Sequence, residues 1–438
     1  MLKKLTIIAF FTGAGQLFSI LALKWVSQHG SAEQLKAISQ VDSIVLLMLN
    51  LVGLGLQSAA MRDLALAVDW KEQYQHIQSA RIALALLLCG LSVIGFLNPY
   101  YLLFLGAPLL GWNGDYALYA RGFPIAGSIT SFLRLIIPFS AIMLVVRYHP
   151  EWLVSVYVCS LIFTYSITNL GISRILGTPV VAIPRFKHLG LYLKSVPLGI
   201  VVLSLYFIGQ GLILFIPYFY NNTVVAVAFV GLKFYVVYKG ALRIIHQAFI
   251  KEMLNEVVCL KVDQLSVIAG ITFAGSMLIF PESFIRLFFG PKYLPEKEFF
   301  VFLAVAAFVY SLFLSMSTKS MLSKKDREYT IITAMAAGIT IVSSILLSLF
   351  WQNALSIAIS LCLGEIAWAI GLLKISSTAS QIRNRISFVL QTGILLVIPV
   401  AVRHFCPDSL PFYASSFGVF LLLLLLLHYR KFQTLTHQ

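Results

Sequence analysis

The chain has 438 residues, of which 59% are hydrophobic and only 11% charged. That balance excludes an ordinary soluble domain, because too few polar side chains remain to cover a water-facing surface. Its 32 Lys and Arg against 17 Asp and Glu leave a formal charge of +15, but most of the basic residues collect in short loops on one side of apolar runs, so no nucleic-acid partner is expected.

Apolar windows of about twenty residues recur from end to end, which predicts an all-α, polytopic inner-membrane protein with about 14 transmembrane helices. Met1–Lys4 precede an apolar run that reaches Trp25 without an A-x-A cleavage site, so the first span is read as uncleaved. Spans are predicted over 5–25, 41–61, 80–97, 99–118, 124–146 and 152–171, forming an N-terminal six-helix bundle, 1–172. A basic cytoplasmic connector, 173–193, carries Arg174, Arg185 and Lys187 with Pro179 and Pro184. Spans at 194–216, 223–245, 263–281, 297–318, 329–350 and 354–373 make a C-terminal six-helix bundle, 194–374. The region 375–438 adds two further helices, 386–403 and 412–428, and a short cytoplasmic tail. The span starts repeat with similar spacing in the two halves, as in a parallel internal repeat. With the N-terminus inside, the inner segments hold most of the Lys and Arg, which places both termini in the cytoplasm.

The residues that could carry chemistry are the polar ones inside these spans. Lys233 lies about ten residues into the stretch Thr223–Ile245, roughly 15 Å deep at a 1.5 Å rise per residue. A lysine at that depth costs roughly 2.5–3.5 kcal/mol unless it meets water, a carboxylate or a bound anion. It shares a helical face with Ala226, Val230, Val237 and Gly240. The alternative is a lysine neutralised by burial. Arg134 lies mid-span on a face with Gly127, Thr130, Ser131, Pro138 and Ala141, a small, hydroxyl-bearing surface suited to a hydrated cavity. Its alternative is a packing face with Arg134 paired to an acid. Arg134 and Lys233 are therefore the candidate cations for an anionic ligand.

Gln16, Asn50, Gln57, Thr130 and Ser131 are candidates for lining the same cavity. Glu365 is read as the only carboxylate near a span centre, open either to pairing with a cation or to carrying a coupling ion. Arg62, Arg121, Lys239 and Arg243 fall near cytoplasmic span ends and are candidates for a cytoplasmic entrance, with Lys239 and Arg243 able to snorkel to head groups. Asp115 with Arg121 reads as an interfacial pair or as solvated charges, and His246 as an interfacial residue. The five cysteines are scattered and give neither a disulfide framework nor metal-ligand spacing. There is no G-x-x-x-x-G-K-[ST] loop, no H-E-x-x-H and no C-x-x-C, so no built-in ATPase, metal or cofactor is expected. Short outer loops, the longest about fifteen residues, speak against a membrane polysaccharide polymerase or ligase, which would need more exposed catalytic surface.

Three stretches carry a family likeness. Leu54-Gly55-Leu56 with Ala59, Arg62, Asp63, Leu64 and Ala65 closes the second span; Ser195-Val196-Pro197-Leu198-Gly199 opens the second half; Ile285-Arg286-Leu287-Phe288-Phe289-Gly290-Pro291-Lys292-Tyr293 forms an outer corner. In these the chain resembles the Wzx-type O-antigen flippases, polysaccharide transporters of the multidrug/oligosaccharidyl-lipid/polysaccharide exporter superfamily. Val26–Gln40 and Tyr218–Thr223 lack the usual Gly-x-Tyr pattern, which marks a divergent member. The resemblance implies translocation of an undecaprenyl-pyrophosphate-linked oligosaccharide from the inner to the outer leaflet of a bacterial inner membrane by alternating access. Arg134 and Lys233 would then meet the pyrophosphate, and Glu365 would be the ion-coupling candidate. The implied partners are the lipid-linked glycan and the bilayer, with a polysaccharide polymerase and chain-length regulator beside them. A lipid II flippase and a cation-coupled multidrug exporter of the same superfamily are the alternatives.

Overall fold

In the computed structural model the described residues are 2–248, 256–322, 325–376 and 386–390. Their regular structure is helical, with ten helices long and apolar enough to cross a membrane. This is the all-α, polytopic architecture the hydropathy demands. The two C-terminal spans predicted over 386–403 and 412–428 lie outside the described residues apart from 386–390.

The chain begins with α1 (Leu2–His29) and α2 (Ala32–Gly53). Ser31 starts α2 through a capping box, its hydroxyl accepting from the Gln34 amide while the Gln34 side chain accepts from the Ser31 amide. The helix therefore begins nine residues before the predicted span start at 41. It ends where Leu54 (φ 26°) and Gly55 (φ 74°) turn the chain into α3 (Leu56–Leu66). Then follow α4 (Trp70–Leu88), extended as a 3-10 turn to Phe96, and the region predicted as one span over 99–118. That region is broken. It consists of a 3-10 stretch Pro99–Gly106, α5 (Ala107–Gly111), a turn, and α6 (Asp115–Ala120). Pro99 and Pro108 lack donors, and Gly106, Gly111 and Gly114 stabilise no helix, so continuity is lost. The long helices α7 (Pro124–Tyr148) and α8 (Leu153–Leu176) come next. Gly177, at φ 59°, closes α8 in the left-handed conformation, with Thr178 N–H reaching Ser173 O. The connector leads into α9 (Gly190–Phe207) and α10 (Asn222–Ala248). Beyond them lie α11 (Glu256–Ile279), α12 (Pro281–Phe288), α13 (Lys297–Leu322), α14 (Asp326–Ser348) and α15 (Ala354–Ser376).

The chain forms two compact units that divide between Phe234 and Tyr235, inside α10. In the first unit α7 packs on α1 and α8, while α9 packs on α2 and α3. The Tyr192 hydroxyl donates to Val52 O at 2.6 Å and that of Tyr206 to Ser43 O at 2.6 Å. At their crossing, a Cβ on Gly55 would lie 2.4 Å from Ser195 O, and one on Gly199 would lie 2.7 Å from Leu54 O. Only glycine permits that approach. Two of the three family-like stretches thus meet each other. In the second unit α13 packs on α11 and α15, and α14 on α15. Its outer corner turns at Gly290 (φ 102°) and buries Phe289 against Phe300, ring centroids 4.4 Å apart.

Candidate functional site

Three buried cation–carboxylate pairs stand out among the described residues, each inside one unit. The first is Arg134, near the middle of α7, with its side chain 9% exposed. Its Nε donates to Thr168 Oγ1 at 3.1 Å and Nη1 to Asp115 Oδ2 at 3.2 Å. Nη2 donates to Asn113 Oδ1 at 2.9 Å and to Asn169 Oδ1 at 3.0 Å. The guanidinium carbon also sits 4.4 Å from the Tyr165 ring centroid. The break in the predicted fourth span makes this possible. The turn between α5 and α6 drops Asn113 and Asp115 onto α7, as discontinuous membrane helices do around polar sites. Asp115 is thus the partner of Arg134, correcting its reading as a surface charge beside Arg121. Arg121 instead donates to Leu64 O at 3.2 Å and lies over the Trp70 ring.

The second centre is Lys233 on α10, 6% exposed. Its Nζ donates to Asp42 Oδ2 at 2.8 Å and stands 5.5 Å from the Phe139 ring centroid. Asp42 also accepts from Tyr157 Oη at 3.0 Å and from Gln210 Nε2. One carboxylate thus gathers three donors, one of them charged. Phe139 and Tyr157 belong to the same α7–α8 pair that holds Arg134, so the first two centres lie along one helix pair. Five residues separate Arg134 from Phe139, about 7.5 Å along the axis.

The third centre belongs to the second unit. Lys239 Nζ donates to Glu365 Oε1 at 2.7 Å, and Tyr235 Oη donates to the same oxygen. The ammonium is flanked by the rings of Tyr235 and Tyr310 at 4.8 and 4.4 Å. Tyr310 stacks on Trp368 and accepts from Arg243 Nε at 3.2 Å. Lys239 is therefore buried and paired, not snorkelling at a membrane surface, because α10 runs on to Ala248 and holds it well inside the helix. Arg243 remains exposed. Of the two roles open to Glu365, pairing with a cation is the one seen.

Pairing was the alternative left open for Arg134, and both Arg134 and Lys233 are found in ion pairs. The small face around Arg134 is used for packing, since a Cβ on Gly127 would lie 2.6 Å from the Tyr119 ring. Thr130 and Ser131 donate back to Ala126 O and Gly127 O of their own helix. Gln16, Asn50 and Gln57 are half-buried, and the Arg62 side chain lies outside what is described. Asp42 was missed, and with it the claim that Glu365 is the only central acid fails. The Ser31-x-x-Gln34 capping signature contained the missing information, because a helix starting at Ala32 carries Asp42 to its middle. His246 is likewise buried, its Nε2 2.7 Å from Ser266 Oγ.

No protein-family model and no curated protein sequence matches the chain. Solved structures do. One described as the lipid II flippase MurJ in an inward closed conformation aligns with a TM-score of 0.72 at 12% identity, covering 99% of both chains. The chain has the fold of that protein. An inward-facing multidrug resistance MATE family transporter of the MOP superfamily aligns at 0.61 and 14% identity, over 88% of this chain and 99% of that one. The eukaryotic MATE transporter AtDTX14 aligns at 0.56 and 15% identity, with coverage of 88% and 99%. A multi-pass membrane architecture shared with flippases and exporters is thus established, and the O-antigen member of the sequence resemblance is a narrower matter.

Proposed function

We propose that the protein is a transporter, not an enzyme, that turns an undecaprenyl-pyrophosphate-linked oligosaccharide from the cytoplasmic to the periplasmic leaflet of a bacterial inner membrane, with both termini in the cytoplasm. The observation that carries this reading is the pair of cation centres along α7 and α8. Each presents a basic side chain whose present partner is a carboxylate, Asp115 for Arg134 and Asp42 for Lys233. A pyrophosphate offers the same kind of oxygen. It would replace those carboxylates one for one, with the guanidinium binding bidentately and the ammonium as a point charge. On release Asp42 would keep the neutral donors Tyr157 and Gln210, whereas Asp115 accepts from no side chain other than Arg134 and would need a new donor. Glu365 is our candidate for ion coupling, because binding a proton or sodium ion there would loosen its hold on Lys239. Arg62, Arg121 and Arg243 remain proposed as the cytoplasmic approach, Lys239 being buried against Glu365, and a polymerase and chain-length regulator as neighbours in the membrane.

The experiment replaces Arg134 and Lys233 separately with Ala and follows surface polysaccharide at matched protein levels. Loss of export by about tenfold or more in each variant is expected, the equivalent of one charge-assisted contact of about 1.4 kcal/mol or more. Full export in both removes these residues from the mechanism. A second reading, a lipid II flippase, is favoured by the fold likeness to MurJ. Rescue of cells depleted of their own lipid II flippase would select it. A multidrug exporter is disfavoured by a core in which basic groups are as prominent as acids.

A further inference from the structure

An acid displaced from Arg134 needs a donor, and the first unit holds a buried donor with no acceptor. Arg81, on α4, is fully buried, and its Nε, Nη1 and Nη2 have no hydrogen-bond partner. Its guanidinium carbon lies 5.0 Å from the centroid of the Tyr116 ring. The guanidinium keeps its charge in any protein environment, and a buried charge without a counter-charge is costly. At Asp115, Oδ2 is committed to Arg134, while Oδ1 is buried without a partner. Two buried arginines and one carboxylate thus share this part of the unit, and the carboxylate serves only one of them.

Close packing brings Arg81 and Asp115 to the same place. A Cβ on Gly111 would lie 3.1 Å from Arg81 O. One on Gly114 would lie 2.9 Å from Gln78 Nε2, on the turn of α4 before Arg81. The chain from Gly111 to Tyr116 is therefore laid directly along α4. Asp115 is the residue between Gly114, which meets Gln78, and Tyr116, whose ring faces Arg81. The charges of Arg81 and Asp115 both act on the hydroxyls of Tyr74 and Tyr116. Neither the Arg81 guanidinium nor Asp115 Oδ1 has a hydrogen bond to break before the two can meet.

We propose that Arg81 is the second station of Asp115: when a pyrophosphate takes Arg134, the Asp115 carboxylate passes to Arg81 and accepts from its guanidinium. This rests on the proposed binding of pyrophosphate at Arg134 and names what compensates the acid that such binding displaces. At rest Asp115 neutralises Arg134, and Arg81 carries the excess charge. With cargo bound, phosphate oxygens meet Arg134, and Asp115 neutralises Arg81. The cost of the bare arginine at rest is relieved on loading, which draws the two states together in free energy, as a switching element requires. Asp42 needs no such station, because Tyr157 and Gln210 stay with it. Arg81 is a positioning residue in this scheme, since it never touches the cargo.

The test measures equilibrium binding of undecaprenyl pyrophosphate to the full-length protein in phosphatidylcholine nanodiscs. Arg81→Met should weaken binding about tenfold or more, as loss of a charge-assisted contact from the loaded state requires. Arg81→Lys, which keeps the charge, should recover most of that loss. Asp115→Asn removes the acid that needs rehousing, so adding Arg81→Met to it should change binding by less than about twofold. An arginine with only a structural role would weaken binding equally in both backgrounds, and that result overturns the proposal. So does equal binding by Arg81→Met and the unaltered protein. A crystal structure of the unaltered protein with the lipid bound should place the Asp115 carboxylate on Arg81; a carboxylate still on Arg134 overturns the proposal without recourse to any variant. Absence of binding by the unaltered protein, or binding indifferent to Arg134→Ala, strikes the pyrophosphate reading itself and this inference with it.

Discussion

Arg134 and Arg81 are both buried arginines of the same unit, yet their surroundings could hardly differ more. Arg134 has an acid, two carboxamides, a hydroxyl and an aromatic face arranged around its guanidinium. Arg81 has one aromatic face. The first arrangement meets every nitrogen of the guanidinium with an acceptor, while the second leaves all three without one. The comparison shows that depth in an apolar stretch reveals a cation but not its state of compensation. That state depends on which loops and breaks bring acids to it. At Arg134 the broken segment between α5 and α6 delivers two ligands; at Arg81 the same segment delivers only Tyr116, whose hydroxyl is itself unmatched.

The contrast can be broken most sharply by Asp115→Ala, which makes Arg134 resemble Arg81. Removing one partner of a buried pair costs about 3–5 kcal/mol, so a large fall in thermal unfolding temperature in detergent is expected. A more modest change is Asn169→Ala, which deletes one of the four donor–acceptor links to Arg134 and the Asn169 bond to Leu109 O. A hydrogen bond to a charged group contributes about 1.5–3 kcal/mol, and the same melting experiment reads it. Smallest, and opposite in sign, is Arg81→Met. Exchanging an uncompensated buried charge for an apolar side chain of similar length should raise stability by about 1 kcal/mol. Destabilisation by that change would mean that Arg81 is already compensated in the native protein.

Much of the helical framework was legible because hydropathy and loop charge are properties of long stretches, insensitive to single residues. The positions of α7, α8, α10, α13, α14 and α15 fall close to the predicted spans. What could not be read was local. Two capping residues moved the start of α2 and turned Asp42 from a terminal acid into a central one. A handful of prolines and glycines converted an apolar run, 99–118, from a continuous span into broken pieces. Arg81 stood at the edge of a predicted span and is central to α4 because that helix begins at Trp70. The cations Arg134 and Lys233 were found by their depth, but their acids were not, since Asp115 and Asp42 reach them across about 19 and 191 positions of sequence. Window methods do not see such distances.

The contact of Gly55 with Gly199 has a consequence for how the first unit can be altered. Alanine at either position would wedge α9 away from the corner between α2 and α3. The Tyr192 and Tyr206 hydroxyls would then be drawn off the carbonyls they hold. These bonds would loosen together, so the join behaves like a keyed hinge pin whose fit depends on two missing methyl groups.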